Sequence, residues 1–322
     1  MKILKTEQYI NEKLDIKPVT RTRLANYKEL SVDDNIKEYI KDNNLVWNPF
    51  TNRYDCNGSI DIYIDNAPIL CDGKFAINFG HIKGSFNCSC CGLKSLEGGP
   101  QIVDEDFECS MNRLVSLEGA PQKVGGDFNC GDNLLNTLEH SPQEIGGEFD
   151  CTVNELTSIK GAPKKVGGSF DCSYNKLKSL KGAPQEVGED FNCSENKLET
   201  LEGAPQTING DFNCNENVLM SLRYSPQEVG GNFDCSHNAL KSLEGAPQKI
   251  NGDFDCSNNN QIAELTGSPN EIGGDFNCGY TLISSFDGAP KIVRGDFIYN
   301  GCYKLTFPEE KPDWLKGIFT IK

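Results

Sequence analysis

Acidic and amide side chains flank a Phe that recurs every 21 residues, and they are the residues best suited to chemistry in this chain. The residue before the Phe is Asp106, Asp127, Glu148, Asp190, Asp211, Asp253, Asp275 or Asp296, with Ser169 and Asn232 as exceptions. The residue after it is Glu108, Asn129, Asp150, Asp171, Asn192, Asn213, Asp234, Asp255 or Asn277. Adjacent carboxylates repel unless Asn neighbours, cations or a partner relieve them. These two rows predict either a binding surface for a basic protein or a solubilising feature of a duplicated repeat.

A third position varies from repeat to repeat, which is typical of a specific contact. It lies two residues after a recurrent Cys and is occupied by Met111, Asp132, Val153, Tyr174, Glu195, Glu216, His237, Asn258 and Tyr280. Aromatic and Met side chains beside carboxylates suit protein recognition. Scattered exposed apolar residues are also ordinary on protein surfaces. We therefore take Met111, Tyr174, His237 and Tyr280 as candidate contacts, a hypothesis weighed against that ordinary explanation.

Other chemistry has weaker support in the sequence. Cys88, Cys90 and Cys91, with Cys71 and His81 upstream, resemble zinc ligands, but they lack the paired Cys-x-x-Cys spacing. The chain has 3 His, too few in suitable places for a Ser/His/Asp or Cys/His arrangement. The Gly-Gly pairs precede strands, whereas phosphate loops precede helices. The sequence thus predicts no catalytic residue, no metal and no cofactor.

The repeat itself predicts the elements that position these residues. In Phe128-Asn129-Cys130 apolar and polar residues alternate, as in a short strand with one buried face. Coils of equal length stack such strands in parallel, about 4.8 Å apart. Asn133 and its equivalents predict a ladder of amides bonded to the backbone of their own and the next coil. Ten of the 15 Cys recur at one apolar place, so we interpret them as reduced core thiols.

Two predictions concern the connections between strands. Gly-Gly pairs such as Gly125-Gly126 exchange with Asn, which indicates a turn with positive φ. The return segment Glu-Gly-Ala-Pro-Gln, as at 202–206, is too rich in Gly and Pro for a helix and predicts an extended, polyproline-like path. A thin return side predicts a body that curves only gently, with the carboxylate rows on its concave face.

The motif resembles the leucine-rich-repeat family. The family consensus Leu-x-Leu-x-x-Asn-x-Leu is present as Phe128-x-Cys130-x-x-Asn133-x-Leu135 and recurs over about residues 82–307. The short repeat and the Pro of the return segment resemble the bacterial effector subtype. The residue sequence of the repeat is similar to arrays in tailed-phage proteins. The resemblance implies a solenoid with a parallel β-sheet. Some such effectors carry a ubiquitin-ligase domain after the repeats; only residues 307–322 follow here, so none is expected.

The rest of the chain predicts end pieces. We expect a helical arm over 1–45, a β cap over 46–84, the solenoid over 85–300 and a C-terminal cap over 301–322. Within the arm, residues 5–14 and a segment beginning near Ser31 are typical of helices. Alternating runs at 59–64 and 75–79 predict strands in the β cap.

Charge and hydropathy limit the partners. The net charge of -16 excludes a groove lined by Lys and Arg for nucleic acid, and no apolar run is long enough to span a bilayer. We predict a cytoplasmic, non-catalytic module that binds a basic protein through the acidic concave face. The alternative is a structural or packaged virion component, because Ile10-x-Glu12 is similar to the sites at which prohead proteases cut internal phage-head proteins. The oligomeric state stays open.

Overall fold

The computed structural model describes residues 32–63, 68–305 and 319–320. A helix spans Val32–Asp42, as predicted, and packs Ile36, Tyr39 and Ile40 against the core. The remainder of the arm, with its predicted first helix and Ile10-x-Glu12, lies outside the described residues. In the described part of the chain, no helix has the length and apolarity that a bilayer crossing requires.

The main sheet is a ladder of parallel two-residue strands, here called the Phe ladder. Its register pairs Phe128 with Phe149 and Phe149 with Phe170. Its 13 strands are Ile60–Asp61, Phe86–Asn87, Phe107–Glu108, Phe128–Asn129, Phe149–Asp150, Phe170–Asp171, Phe191–Asn192, Phe212–Asn213, Phe233–Asp234, Phe254–Asp255, Phe276–Asn277, Phe297–Ile298 and Phe319–Thr320. The predicted solenoid, with one coil per repeat, is confirmed.

The core consists of the same side chains repeated from coil to coil. Phe, Cys and Leu of successive coils are fully buried, and the rings of Phe128 and Phe149 stack at 5.2 Å. Most of the recurrent thiols donate to a carbonyl of the following coil, as Cys130 Sγ does to Asp150 O at 3.4 Å. Burial raises the pKa of the Cys130 thiol well above its usual range. The Cys are therefore free, protonated core groups, as the sequence predicted.

The recurrent Asn residues form an amide ladder beneath the carbonyls of the turns. Asn175 Oδ1 accepts the N–H of Leu156 at 3.0 Å, and Nδ2 donates to Cys151 O at 3.0 Å and Cys172 O at 3.1 Å. The bonds thus join each Asn to its own coil and to the preceding coil, whereas the sequence analysis expected the next one. Buried backbone groups left unpaired by the turn are satisfied in this way.

A second parallel ladder lies on the return side, and the sequence analysis missed it. Its strands are Phe79–Ile82, Ile102–Val103, Lys123–Val124, Glu144–Ile145, Lys165–Val166 and Glu186–Val187, then separately Thr207–Ile208, Glu228–Val229, Lys249–Ile250, Glu271–Ile272 and Ile292–Val293. Among the described strands, Glu186–Val187 and Thr207–Ile208 are not paired, which leaves a seam in this ladder. Because both sides of a coil carry a hydrogen-bonded strand, both have nearly the same rise, and little curvature is expected.

The prediction of positive φ at the Gly-Gly pairs was wrong. The left-handed glycines are those of the return segments, such as Gly161 at φ +90° and Gly203 at +103°. The Gly-Gly pairs instead lie in close contact with the preceding coil. A Cβ on Gly146 would lie 1.8 Å from the carbonyl oxygen of Gly125. Sequence alone does not separate these two reasons for a recurrent glycine.

The N-terminal cap closes the return side. Strands Val46–Asn48 and Arg53–Cys56 form an antiparallel hairpin in which Trp47 and Tyr54 meet edge to face at 5.0 Å. Arg53–Cys56 then pairs with Phe79–Ile82 and so covers the first strand of the second ladder. A second hairpin joins Leu70–Cys71 to Lys74–Phe75.

Candidate protein-binding face

The row of residues that precede each Phe, here called the first carboxylate row, is bonded to the backbone of the next coil. Asp127 Oδ1 accepts the N–H of Glu148 at 2.7 Å, and Asp190 Oδ1 accepts that of Asp211 at 2.7 Å. Asn232 does the same for Asp253 at 2.8 Å. Each side chain therefore caps a backbone donor at the strand entrance. The sequence analysis did not anticipate this structural role.

The residues that follow each Phe form the second carboxylate row, which is half-buried. Asp171 Oδ1 accepts the N–H of Ser173 at 2.8 Å, a local turn repeated by the other Asp and Asn of this row. The remaining Asp oxygen is bonded within the row where the following coil carries an Asn. Asn192 Nδ2 donates to Asp171 Oδ2 at 2.9 Å, and Asn277 Nδ2 to Asp255 Oδ2 at 2.8 Å. These amides relieve part of the repulsion along the row.

Glu108 departs from the pattern of the second row, and its side chain is one methylene too long for the local turn. Burial raises the pKa of Glu108 to about 7, with further contributions from the charges of Asp106, Asp150, Asp127 and Glu148. The pKa of Glu148 in the first row is also raised, first by burial and then by Asp150 and Asp127. Negative charge is therefore least compensated across these coils.

Basic residues are absent from the face that carries the two rows. From three residues before to four after each Phe, between Phe107 and Phe276, the sequence has no Lys or Arg. The cations of the solenoid lie on other sides, where they pair with acids one coil away. Examples are Lys160 with Glu139 at 2.7 Å and Lys178 with Glu199 at 3.0 Å.

The variable position forms a third row, here called the left-handed row, at the end of the Phe-ladder strands. All its members have positive φ: Met111 52°, Asp132 51°, Val153 50°, Tyr174 55°, Glu195 50°, Glu216 49°, His237 53°, Asn258 57° and Tyr280 56°. Such a backbone suits Gly or Asn and is unfavourable for Val, Tyr or Met. Tyr174 and Tyr280 are 56% and 60% exposed.

Neighbours in the left-handed row touch one another. Glu195 lies close enough to Glu216 and Tyr174 for both to shift its pKa. Its pKa is raised by desolvation and by Glu216, and the bond to Tyr174 lowers it in part. The structure thus brings the predicted contact residues into one continuous surface with the carboxylate rows. Their shared backbone strain was not visible in the sequence.

Two further exposed residues with positive φ lie on the return side. His140 at φ +73° and Tyr224 at φ +70° occupy the place that is Gly in the other return segments. Each is followed by a Ser in place of the usual Ala. Departure from an otherwise constant position was the sequence signal for both, and it was missed.

The Cys and His residues that were weighed against a zinc site make other contacts. Cys88 Sγ donates to Glu108 O at 3.3 Å and Cys91 Sγ to Ile62 O at 3.2 Å. His81 Nε2 lies 2.9 Å from Asp104 Oδ1. Within the described ranges, no group of three or more His, Cys, Asp and Glu side chains has a geometry suited to a metal ion.

Two solved structures of similar fold are both YopM proteins. YopM from Yersinia enterocolitica WA-314 superposes with a TM-score of 0.49 and 16% identity, over 75% of this chain and 63% of that one. YopM from Yersinia pestis, a leucine-rich effector protein, gives 0.39 and 14%, over 80% and 88%. The chain therefore spans less than two thirds of the first structure. No protein-family model and no curated protein sequence matches it.

Proposed function

We propose that this leucine-rich-repeat-like solenoid is a non-catalytic module that binds a protein partner across the two carboxylate rows and the left-handed row. The observation that carries the proposal is the left-handed row. Backbone strain costs roughly 1–2 kcal/mol for each residue without a compensating interaction. Gly or Asn would avoid that cost, yet Met, Val, Tyr, Glu and His stand there. Strain retained at exposed, variable positions supports recognition.

The charge of the face supports a basic partner. In the first row, Asn232 and Ser169 accept a backbone N–H as Asp does, so hydrogen bonding alone does not require a charge. Asp nevertheless fills most places of that row. A partner that presents Lys or Arg would relieve the repulsion and associate faster at low salt. Aromatic residues of the left-handed row would then provide the apolar contacts.

The proposal is tested with peptides of equal length that carry positive, neutral or negative net charge. Immobilised protein should capture the basic peptide, with affinity that falls as salt rises. The variant Asp171→Asn with Asp234→Asn keeps both backbone acceptors and removes two charges, and it should bind more weakly. Glu118→Gln with Glu244→Gln, at exposed positions on another side, changes the net charge equally and should bind like the original protein. Equal effects of both pairs would show general charge attraction and reject a specific face.

The phage-related alternative depends on the arm. A packaged internal protein would lose residues 1–12 by cleavage after Glu12. Intact mass of the protein from its native source distinguishes the two functions, because a cytoplasmic binding module would keep these residues. This stays a prediction, as does cytoplasmic localisation.

A further inference from the structure

A groove of about 400 Å³ runs along the return side near the N-terminal cap. It crosses three successive return segments, residues 99–101, 119–122 and 140–143, and Arg53 lies at the cap end. Pro100, Pro121 and Pro142 provide apolar walls, and Gln residues line it beside them. This volume is within the range of small-ligand and short-peptide sites, roughly 300–1,000 Å³.

The groove lies on a different side from the carboxylate rows, and its lining differs from them in charge. Arg53 and His140 are the ionisable residues among its lining residues, which include no Asp or Glu, although the chain carries a net charge of -16. Three acids are adjacent in sequence to the lining residues, namely Glu118, Glu139 and Glu144, and none of them lines the groove. Glu139 is bonded to Lys160 at 2.7 Å, which compensates its charge.

Arg53 is fixed in place by the backbone. Its Nη1 donates to Phe79 O at 2.7 Å and to Gly99 O at 3.0 Å. Among the described residues, these two are the hydrogen bonds of the Arg53 guanidinium, and both come from Nη1. A planar guanidinium held by one nitrogen can present its other N–H groups to a carboxylate with little loss of conformational entropy.

His140 is held at the groove under backbone strain. It has φ +73° where the other return segments, apart from that of Tyr224, have Gly. The adjacent Ser141 Oγ donates to Gly161 O at 2.6 Å, a bond that the usual Ala cannot make and that ties this segment to the next coil. The exposed imidazole is therefore placed at the end opposite Arg53, at an energetic cost that Gly would remove.

We propose that this groove binds an acidic peptide segment, with one carboxylate on Arg53, a second acidic group near His140 and aliphatic parts over the prolines. The site is separate from the carboxylate rows, and its test does not depend on the function proposed above. The occupant is a partner's segment, whose acidic groups complement Arg53 in a lining that carries no Asp or Glu.

The test measures fluorescence anisotropy with a labelled peptide that alternates Glu with Pro and Gly, compared with a peptide in which Gln replaces Glu. The Glu peptide should bind and the Gln peptide should bind at least about ten-fold more weakly, the effect of losing one charge-assisted hydrogen bond. Inorganic phosphate is added as a competitor. Displacement of the peptide by phosphate at equal concentration would show a general anion pocket and overturn the assignment to a peptide.

Variants separate the groove from the fold. His140→Gly restores the residue that the repeat usually has at this position. It should therefore raise thermal stability and yet lower the affinity for the Glu peptide several-fold. Tyr224→Gly releases the same kind of strain four coils away, outside the groove, and should raise stability with unchanged peptide affinity. Arg53→Lys keeps the charge but loses the fork geometry and should also weaken binding. Unchanged affinity in both His140→Gly and Arg53→Lys would overturn the proposal, whatever happens at the carboxylate rows.

Discussion

The amide ladder and the left-handed row occupy consecutive positions in each coil, and they are under opposite constraints. Asn175 is buried, has two backbone partners in the preceding coil besides those in its own turn, and has Asn at the equivalent position of most coils. Tyr174, one residue earlier, is exposed, strained and different in every neighbouring coil. A position with the same residue in successive coils is therefore one that the stacking of coils constrains. Variability that persists under strain is where a function specific to this chain is to be sought.

The largest change in stability is expected for a substitution in the amide ladder. Asn175→Ala leaves the buried Leu156 N–H without its acceptor and removes one of the two amide donors from each of Cys151 O and Cys172 O, so it should lower the free energy of unfolding by about 2–3 kcal/mol. Lys197→Ala, at an exposed position of the next coil, should change it by less than about 0.5 kcal/mol. Urea unfolding followed by circular dichroism measures both. A small loss for Asn175→Ala would mean that water satisfies these groups.

In the left-handed row, by contrast, a suitable substitution should raise the stability of the protein. Val153→Gly removes a β-branched residue from φ +50°, and it should stabilise the protein by up to about 1 kcal/mol after the entropy cost of Gly. Val115→Gly, also at an exposed Val but at a residue without positive φ, should destabilise it by about 0.5–1 kcal/mol. Thermal unfolding of the two variants gives the sign directly. Destabilisation by both would show that Val153 is not strained.

Glu108 gives a smaller and pH-dependent effect. Its folded-state pKa of about 7 lies above the ordinary 4.5, so the folded protein holds a proton that the unfolded chain has released. Stability should therefore fall as pH rises from about 4.5 to 7, and the penalty should be complete above that range. Glu108→Gln should stabilise the protein by about 1 kcal/mol at pH 8, after discounting for solvent screening, and have little effect at pH 4.5. Urea unfolding at the two pH values measures this, with Glu118→Gln as the control that should show no such difference.

The smallest effect separates charge from hydrogen bonding in the first carboxylate row. Asp190→Asn keeps the acceptor for Asp211 N–H and should leave stability within about 0.5 kcal/mol, whereas Asp190→Ala should cost more because it removes the acceptor. Thermal unfolding at low and high salt distinguishes the two variants. If Asn and Ala variants were equally stable, the bond to the next coil would have no energetic role.

The sequence was sufficient for the fold because a period of 21 residues, with a single step of 22 between Phe254 and Phe276, constrains every coil at once. Phe128, Cys130 and Leu135 return in phase, and only stacking in register buries them all. The second ladder was missed because two residues such as Lys123 and Val124 are too few to show alternation. Glycine was misread because close contact between backbones and positive φ leave the same signature.

The candidate face was predicted in position but not in its physical state. Alternation placed Asp150 and Asp171 on the outer side, whereas their bonds to the backbone depend on turn geometry that composition does not reveal. The strain at Tyr174 and His237 was equally hidden, because positive φ is normally inferred from Gly or Asn. His140 is visible in the sequence as an exception to the repeat, but its position at the groove is seen only in the structure.

The seam between Glu186–Val187 and Thr207–Ile208 has a mechanical consequence. In a linear stack, stability is a sum over coils and the contacts between neighbours. Where one of the two hydrogen-bonded sides is interrupted, that sum is smallest, and Asn209 Nδ2 to Gly188 O at 3.1 Å is one bond that spans the gap. Pulled from its ends, the rod should yield first at this joint, so that the two halves come apart as separate blocks and refold as separate blocks.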